Sequence, residues 1–182
     1  MNILVTLDRN YLPPLRVMLG SLLRNDPAET FDIYTIGDGL LPEDWAGLEA
    51  LCAGRGRIHP VEVPADLFAD APVARYWTRA MYYRLLAAEL LPQSLDRVLY
   101  LDPDILVINS VQPLYEMDLE GNLMAAATHT GLLAGITDPV NRLRLENYEA
   151  EAYYNSGVLL MDLDAMRREV RPADIFDYAR EH

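Results

Sequence analysis

Two aspartates one residue apart, Asp102 and Asp104, follow the apolar run Val98-Leu99-Tyr100-Leu101. Carboxylate oxygens are hard ligands that suit a divalent cation such as Mn²⁺ or Mg²⁺. In extended backbone, residues i and i+2 point to the same side, so both carboxylates reach one ion. Pro103 between them fixes φ and keeps a helix from starting, which holds the pair extended. A cation held there keeps positions open for diphosphate oxygens and neutralises a departing phosphate group. The competing reading is a solvated turn in which Asp102 caps the next few residues. Position favours the metal, because loops at the carboxyl ends of buried parallel strands form the ligand crevice of open α/β sheets.

The elements that must carry this pair alternate between β-favouring apolar runs and segments of helical period. That is the pattern of an α/β fold with a mostly parallel central sheet and helices on both faces. Ile3 to Thr6 reads as the first strand. A helix follows from about Pro13, with Leu15, Met18, Leu19, Leu22 and Leu23 on one face. Phe31 to Ile36 is a second strand, ended by Gly37-Asp38-Gly39. The spacing then predicts a helix from about Pro42 to Cys52, a short strand around Ile58 to Val63 and a helix from Thr78 to Leu91 that Pro92 stops. Beyond the aspartates, Met124 to Thr128 and Tyr154 to Met161 read as strands, and Thr130 to Ala152 as a loop with some helix. A last helix begins near Pro172 and turns Ile175, Phe176 and Ala179 inward.

At 182 residues, with no linker-like change of composition, the chain is expected to be one domain, residues 1–182. Apolar residues make up 51% and charged residues 24%, which fits a folded globular chain rather than a disordered one. The apolar runs are too short to span a bilayer. The opening Met1-Asn2-Ile3-Leu4-Val5-Thr6 has neither a basic region nor a cleavage site, so no signal peptide is read and a cytoplasmic location is expected. The lone Cys52 agrees with a reducing compartment and reads as a buried structural thiol. A net charge of −13 argues against nucleic acid as a partner. All 15 basic residues are arginine, which excludes Schiff-base chemistry and the lysine of a phosphate-binding P-loop.

Three segments in order carry a resemblance: Leu7-Asp8-Arg9-Asn10-Tyr11, Val98 to Asp104, and Tyr154-Asn155-Ser156-Gly157-Val158-Leu159-Leu160-Met161. Together they resemble glycosyltransferase family 8, which includes bacterial lipopolysaccharide galactosyl- and glucosyltransferases and the glycogenins. The resemblance implies a Rossmann-like nucleotide-diphospho-sugar transferase fold. It also implies retaining transfer of a hexose from a UDP-sugar to the hydroxyl of a glycan or lipid-linked sugar, with Mn²⁺ as cofactor. Carried over by position, Asp8 would bond the uracil, Tyr11 would stack on it, and Thr6 would add backbone contacts. Arg84, in Thr78 to Arg84, would contact the donor sugar and diphosphate, Asp102-Pro103-Asp104 would hold the metal, and Asn155 would face the transferred sugar. Gly157 would allow close backbone approach. His129 stands where relatives commonly carry an acidic residue near that sugar.

Residue by residue there are plainer readings. Tyr11 could pack over the first helix, Arg84 could form a surface ion pair, Asn155 could cap its own turn, and His129 could be a satisfied structural histidine. Relatives also carry an Asp-Gln-Asp-like motif and a His-x-x-Gly-x-x-Lys-Pro-Trp segment beyond the position of His182. The expectation is therefore a chain cut short at its C-terminus, with any peripheral membrane contact in the part beyond. Two alternatives remain: a donor-binding fragment or sugar-nucleotide sensor that transfers nothing, and a phosphatase of the haloacid dehalogenase type. The latter also places Asp-x-Asp after a strand, but it needs a lysine and a Thr or Val where this chain has Leu106.

Overall fold

The computed structural model describes residues 1–64, 67, 79–128 and 154–181. Its strands are β1 (Asn2–Asp8), β2 (Phe31–Asp38), β3 (Gly56–Pro60), β4 (Arg97–Leu101), β5 (Met124–Thr128) and β6 (Tyr154–Asp162). Among the described residues they form one sheet in the order β3-β2-β1-β4-β6-β5. β3, β2, β1 and β4 pair in parallel, and β6 runs antiparallel to both β4 and β5. The expected mostly parallel sheet is thus observed, with a single reversed strand beside β4.

The helices are α1 (Leu12–Asn25), α2 (Pro42–Cys52), α3 (Arg79–Leu85), α4 (Ala87–Leu90), α5 (Gln112–Tyr115), α6 (Leu163–Glu169) and α7 (Pro172–Glu181). Side chains alternate across each strand, and this alternation sorts the core into two layers. Ile3, Val5, Leu7, Leu99, Leu101 and Leu160 pack with α1 and α2 through Leu15, Leu19, Leu22 and Leu48. Leu4, Ile36, Val98, Tyr100, Leu159 and Met161 pack on the other face against Tyr82, Leu86, Ala87, Met166 and Phe176. Helices on both faces are what a sheet buried on both sides requires.

On the α1 face Leu15, Met18, Leu19 and Leu22 are all fully buried. Leu19→Ala is therefore expected to lower unfolding stability by about 3 kcal/mol, the usual cost of a leucine-sized cavity. Urea denaturation followed by circular dichroism measures it, and a loss below ~1 kcal/mol would mean that the helix repacks freely.

Several elements differ from the sequence expectation. The segment read as one helix from Thr78 to Leu91 is divided at Leu86, whose ψ of 16° tightens the turn. Leu86 is nevertheless bonded to both pieces, its N–H donating to Tyr82 O and its carbonyl accepting from Leu90 N–H. β3 lies two residues earlier than expected, because Phe31 of β2 pairs with Gly56. It ends at Pro60, which has no N–H for a ladder, and one further bond runs from Val61 N–H to Thr35 O. α6 was not anticipated: Asp162 ends β6 and caps this helix, accepting a bond from Ala165 N–H at 2.8 Å. Cys52 is buried as expected, and burial pushes its thiol up to about 11, which leaves it an unreactive part of the core.

Candidate active site

From β1 the chain winds through α1 to β2 on one side, whereas β4 lies on the other side of β1. Connections that leave neighbouring strands in opposite directions open a crevice at the strands' carboxyl ends. β1 ends there at Asp8 and β4 at Leu101, directly before Asp102. Ile3 and Leu4 pair with Leu99 and Tyr100. By period two, Thr6 and Asp8 share a face with Leu4, and Asp102 shares it with Tyr100. That face is the one covered by α3, the helix that carries Arg84.

Antiparallel pairing brings the start of β6 to the same place. Leu101 pairs with Val158, and the next bond runs from Asp102 N–H to Gly157 O at 2.8 Å. The pairing of β6 with β5 jumps from Leu159–Ala126 to Asn155–Ala127, which leaves residues 156–158 without partners on β5. Such an irregularity re-aims backbone groups, and here the freed Ser156 carbonyl accepts a hydrogen bond from Arg84 Nη1 at 2.9 Å.

Asp102 is the centre of this cluster. Its Oδ1 accepts a 2.5 Å hydrogen bond from the Tyr100 hydroxyl and lies 3.3 Å from Arg84 Nη1. The guanidinium also lies over the Tyr100 ring, 4.9 Å from its centroid, a cation–π contact. Side-chain exposures of 17% for Arg84 and 28% for Asp102 put this ion pair at the edge of the core, where it is only partly screened. Burial pushes the Tyr100 phenol well above its ordinary range, against the opposing pull of Arg84, so it stays protonated and able to donate. The Thr6 hydroxyl lies 3.2 Å from the Tyr100 oxygen.

Gly157 faces the other carboxylate oxygen. A Cβ at this position would stand 2.6 Å from Asp102 Oδ2, closer than non-bonded atoms approach, and 3.0 Å from Asn155 Oδ1, a tight contact. Oδ2 thus lies directly against the Gly157 backbone, an approach that only the lack of a side chain permits, while the Asp102 side chain stays partly exposed. Asn155 Oδ1 accepts the Gly157 N–H at 2.7 Å. This is the turn-capping role open to an asparagine at a strand entry, and it holds the amide beside the same carboxylate.

One expectation about the aspartate pair is corrected. Pro103 and Asp104 form a turn beyond the end of β4 rather than extended backbone, with Ile105 N–H directed at Asp102 O at 3.4 Å. Proline fixes φ near the value that the second position of a tight turn also uses, so Pro103 starts the turn instead of prolonging the strand. Pro103 is buried and Asp104 exposed. The segment beyond is tied to α1: Asn25 Nδ2 donates to Val107 O at 2.8 Å, and Val107 N–H donates to Ser21 Oγ at 3.0 Å.

At the end of β1, Asp8 Oδ1 accepts the Asn10 N–H at 2.7 Å and caps the 3-10 turn Arg9–Tyr11. Arg9 pairs with Asp44 at 2.8 Å, and Asp44 also accepts the Leu41 N–H. The Leu41 bond and Arg9 together hold that carboxyl below the usual range. These contacts pin the turn to the start of α2 and present Tyr11, 44% exposed, at its end. His129 lies outside the described residues. Among those residues, no group of three or more His, Cys, Asp or Glu is placed to hold a metal. The reading of the residues missed Tyr100 and the Ser156 carbonyl. Period two from Asp102 pointed to Tyr100, but nothing in the sequence signals the irregularity that frees Ser156.

The profile described as Glycosyl transferase family 8 matches residues 2–179. The chain belongs to that family. This family 8 chain is 28% identical to General stress protein A of Bacillus subtilis (strain 168), covering 100% of this chain and 63% of that protein. It is 30% identical to the lipopolysaccharide 1,2-glucosyltransferase of Escherichia coli (strain K12), covering 90% of this chain and 48% of the relative. The crystal structure of the galactosyltransferase LgtC with donor and acceptor sugar analogs superposes with a TM-score of 0.82 at 28% identity, over 100% of this chain and 64% of that one. The family 8 chain thus spans about half to two thirds of the length of these relatives. Among its described residues, no helix is long and apolar enough to cross a membrane.

Proposed function

We propose that this family 8 chain binds a UDP-sugar in the crevice between β1 and β4, and that the protein transfers the hexose with retention to an acceptor hydroxyl on a glycan or lipid-linked sugar. One observation carries the reading. Asp102 is held through Oδ1 by Tyr100 and Arg84, while Oδ2 lies against the bare Gly157 backbone and the side chain keeps partial exposure. A carboxylate fixed at one oxygen and still partly exposed fits a divalent cation, and the exposed Asp104 supplies a second hard oxygen group two residues on. Bound there, Mn²⁺ or Mg²⁺ would neutralise the diphosphate as it leaves.

The chain's own groups divide the remaining work. Arg84 offers donors to diphosphate and sugar oxygens from a position that Ser156 O and the Tyr100 ring already define, so little ordering is left to the binding step. Asp8 and Tyr11 take the uracil by hydrogen bonding and stacking, Thr6 adds backbone contacts there, and Asn155 faces the sugar. That LgtC was crystallised with donor and acceptor sugar analogs supports a nucleotide-sugar donor, and the lipopolysaccharide 1,2-glucosyltransferase supports a glycan acceptor.

Calorimetry of UDP binding in Mn²⁺ and in EDTA tests the reading. Binding is expected in Mn²⁺ and to be lost in EDTA; equal affinity in both would defeat the metal site. A panel of UDP-sugars, followed by UDP release, then identifies the sugar. Metal-dependent binding without any release would favour the narrower reading, in which these residues hold a donor and do not transfer from it.

A further inference from the structure

We propose that the Tyr100 hydroxyl, fixed in turn by Thr6, is the positioning group of the cation site, holding Asp102 by Oδ1 so that Oδ2 is presented toward the crevice. The inference rests on the proposed metal site and goes further, because it assigns a role to two residues of the buried strands that bear no charge. Tyr100 is fully buried, and a phenylalanine ring would fill nearly the same volume. What tyrosine adds is one hydroxyl, and both side chains that it meets are polar: Asp102 Oδ1 at 2.5 Å and Thr6 Oγ1 at 3.2 Å.

The direction of this hydrogen-bond chain is set by chemistry. An ionised carboxylate only accepts, so the phenol donates its single hydrogen to Asp102. Having spent that hydrogen, the phenol oxygen accepts from Thr6, whose hydroxyl must donate. The order is therefore Thr6 to Tyr100 to Asp102, and donation from Thr6 polarises the phenol toward the carboxylate.

The carboxyl torsion of an aspartate is broad and roughly two-fold, so the backbone alone does not choose which oxygen faces the crevice. The hydroxyl makes that choice. Without it, Asp102 is free to turn and to offer both oxygens to the fork of Arg84, which already stands 3.3 Å from Oδ1 and competes with a cation for the same charge. The hydroxyl thus divides the carboxylate into one side for the protein and one for the ion.

The test is titration of the full chain with Mn²⁺ alone, with the paramagnetic resonance signal of free Mn²⁺ as readout, for the unaltered protein, Tyr100→Phe and Thr6→Val. Tyr100→Phe is expected to weaken Mn²⁺ binding about tenfold, the usual scale for removing a group that orients a metal ligand. Thr6→Val is expected to weaken it less, in the same direction. A folded Tyr100→Phe with unaltered affinity overturns the proposal. If that variant does not fold, Thr6→Val decides, and unaltered affinity again overturns it. Absence of Mn²⁺ binding in the unaltered chain would defeat the metal-site reading as well, so the two failures are distinct.

Discussion

Asp104→Ala is expected to reduce metal-dependent UDP binding to the level seen in EDTA, a loss of more than ~100-fold, while the protein stays folded. The scale exceeds the 10–100-fold typical of groups that merely orient a ligand, because the substitution removes a ligand itself. The clean separation from stability follows from where the residue sits. Asp104 is exposed in the turn after β4, whereas Pro103 before it and Val107 beyond it are buried, so the turn is anchored by its neighbours. Exposed substitutions away from caps and cores change stability by no more than about 0.5 kcal/mol. Calorimetry with Mn²⁺ and thermal unfolding of the same sample make the comparison. Retained Mn²⁺-dependent binding would remove Asp104 from the site, and a large fall in melting temperature would give it a structural role instead.

Gly157→Ala is expected to cost the site as much through a single methyl group. The new Cβ would stand 2.6 Å from Asp102 Oδ2 and 3.2 Å from its Cγ. The backbone at 157 has little freedom to withdraw, since its carbonyl accepts the Asp102 N–H at 2.8 Å and its N–H is bonded to Asn155 Oδ1 at 2.7 Å. Its φ is not positive, so alanine meets no conformational objection, and the whole effect is steric. The carboxylate must therefore turn or shift, and displacement of a positioned group by ~1 Å is worth about 100-fold. UDP titration in Mn²⁺ measures the loss. A variant that binds like the unaltered chain would mean that the Asp102 carboxylate has room to move without leaving the site, and the importance assigned to Oδ2 would fall with it.

The apolar runs made most of the frame legible. β1, β2, β4, β5 and β6 lie where apolar stretches put them, and β1 and β4, buried along most of their length on both faces, have few polar positions to blur the signal. Leu15, Met18, Leu19 and Leu22 gave α1 by period alone. What failed was short or set by partners: β3 moved because the register with β2 decides where a five-residue edge strand begins. α6 went unread because seven residues between two other elements leave too little period to recognise.

The sequence by itself determined which residues are candidates. Asp8, Arg84, Asp102, Asp104 and Asn155 stand out through residue type, spacing and resemblance. Only the tertiary structure decided how Asp102 is held. Its partners come from 2, 18 and 55 residues away in the chain, at Tyr100, Arg84 and Gly157. The first lies within reach of a local pattern, but nothing local encodes the other two. They arise because β1, β4 and the reversed β6 are adjacent in the sheet, and that adjacency follows from burying both faces at once rather than from any one segment's preference.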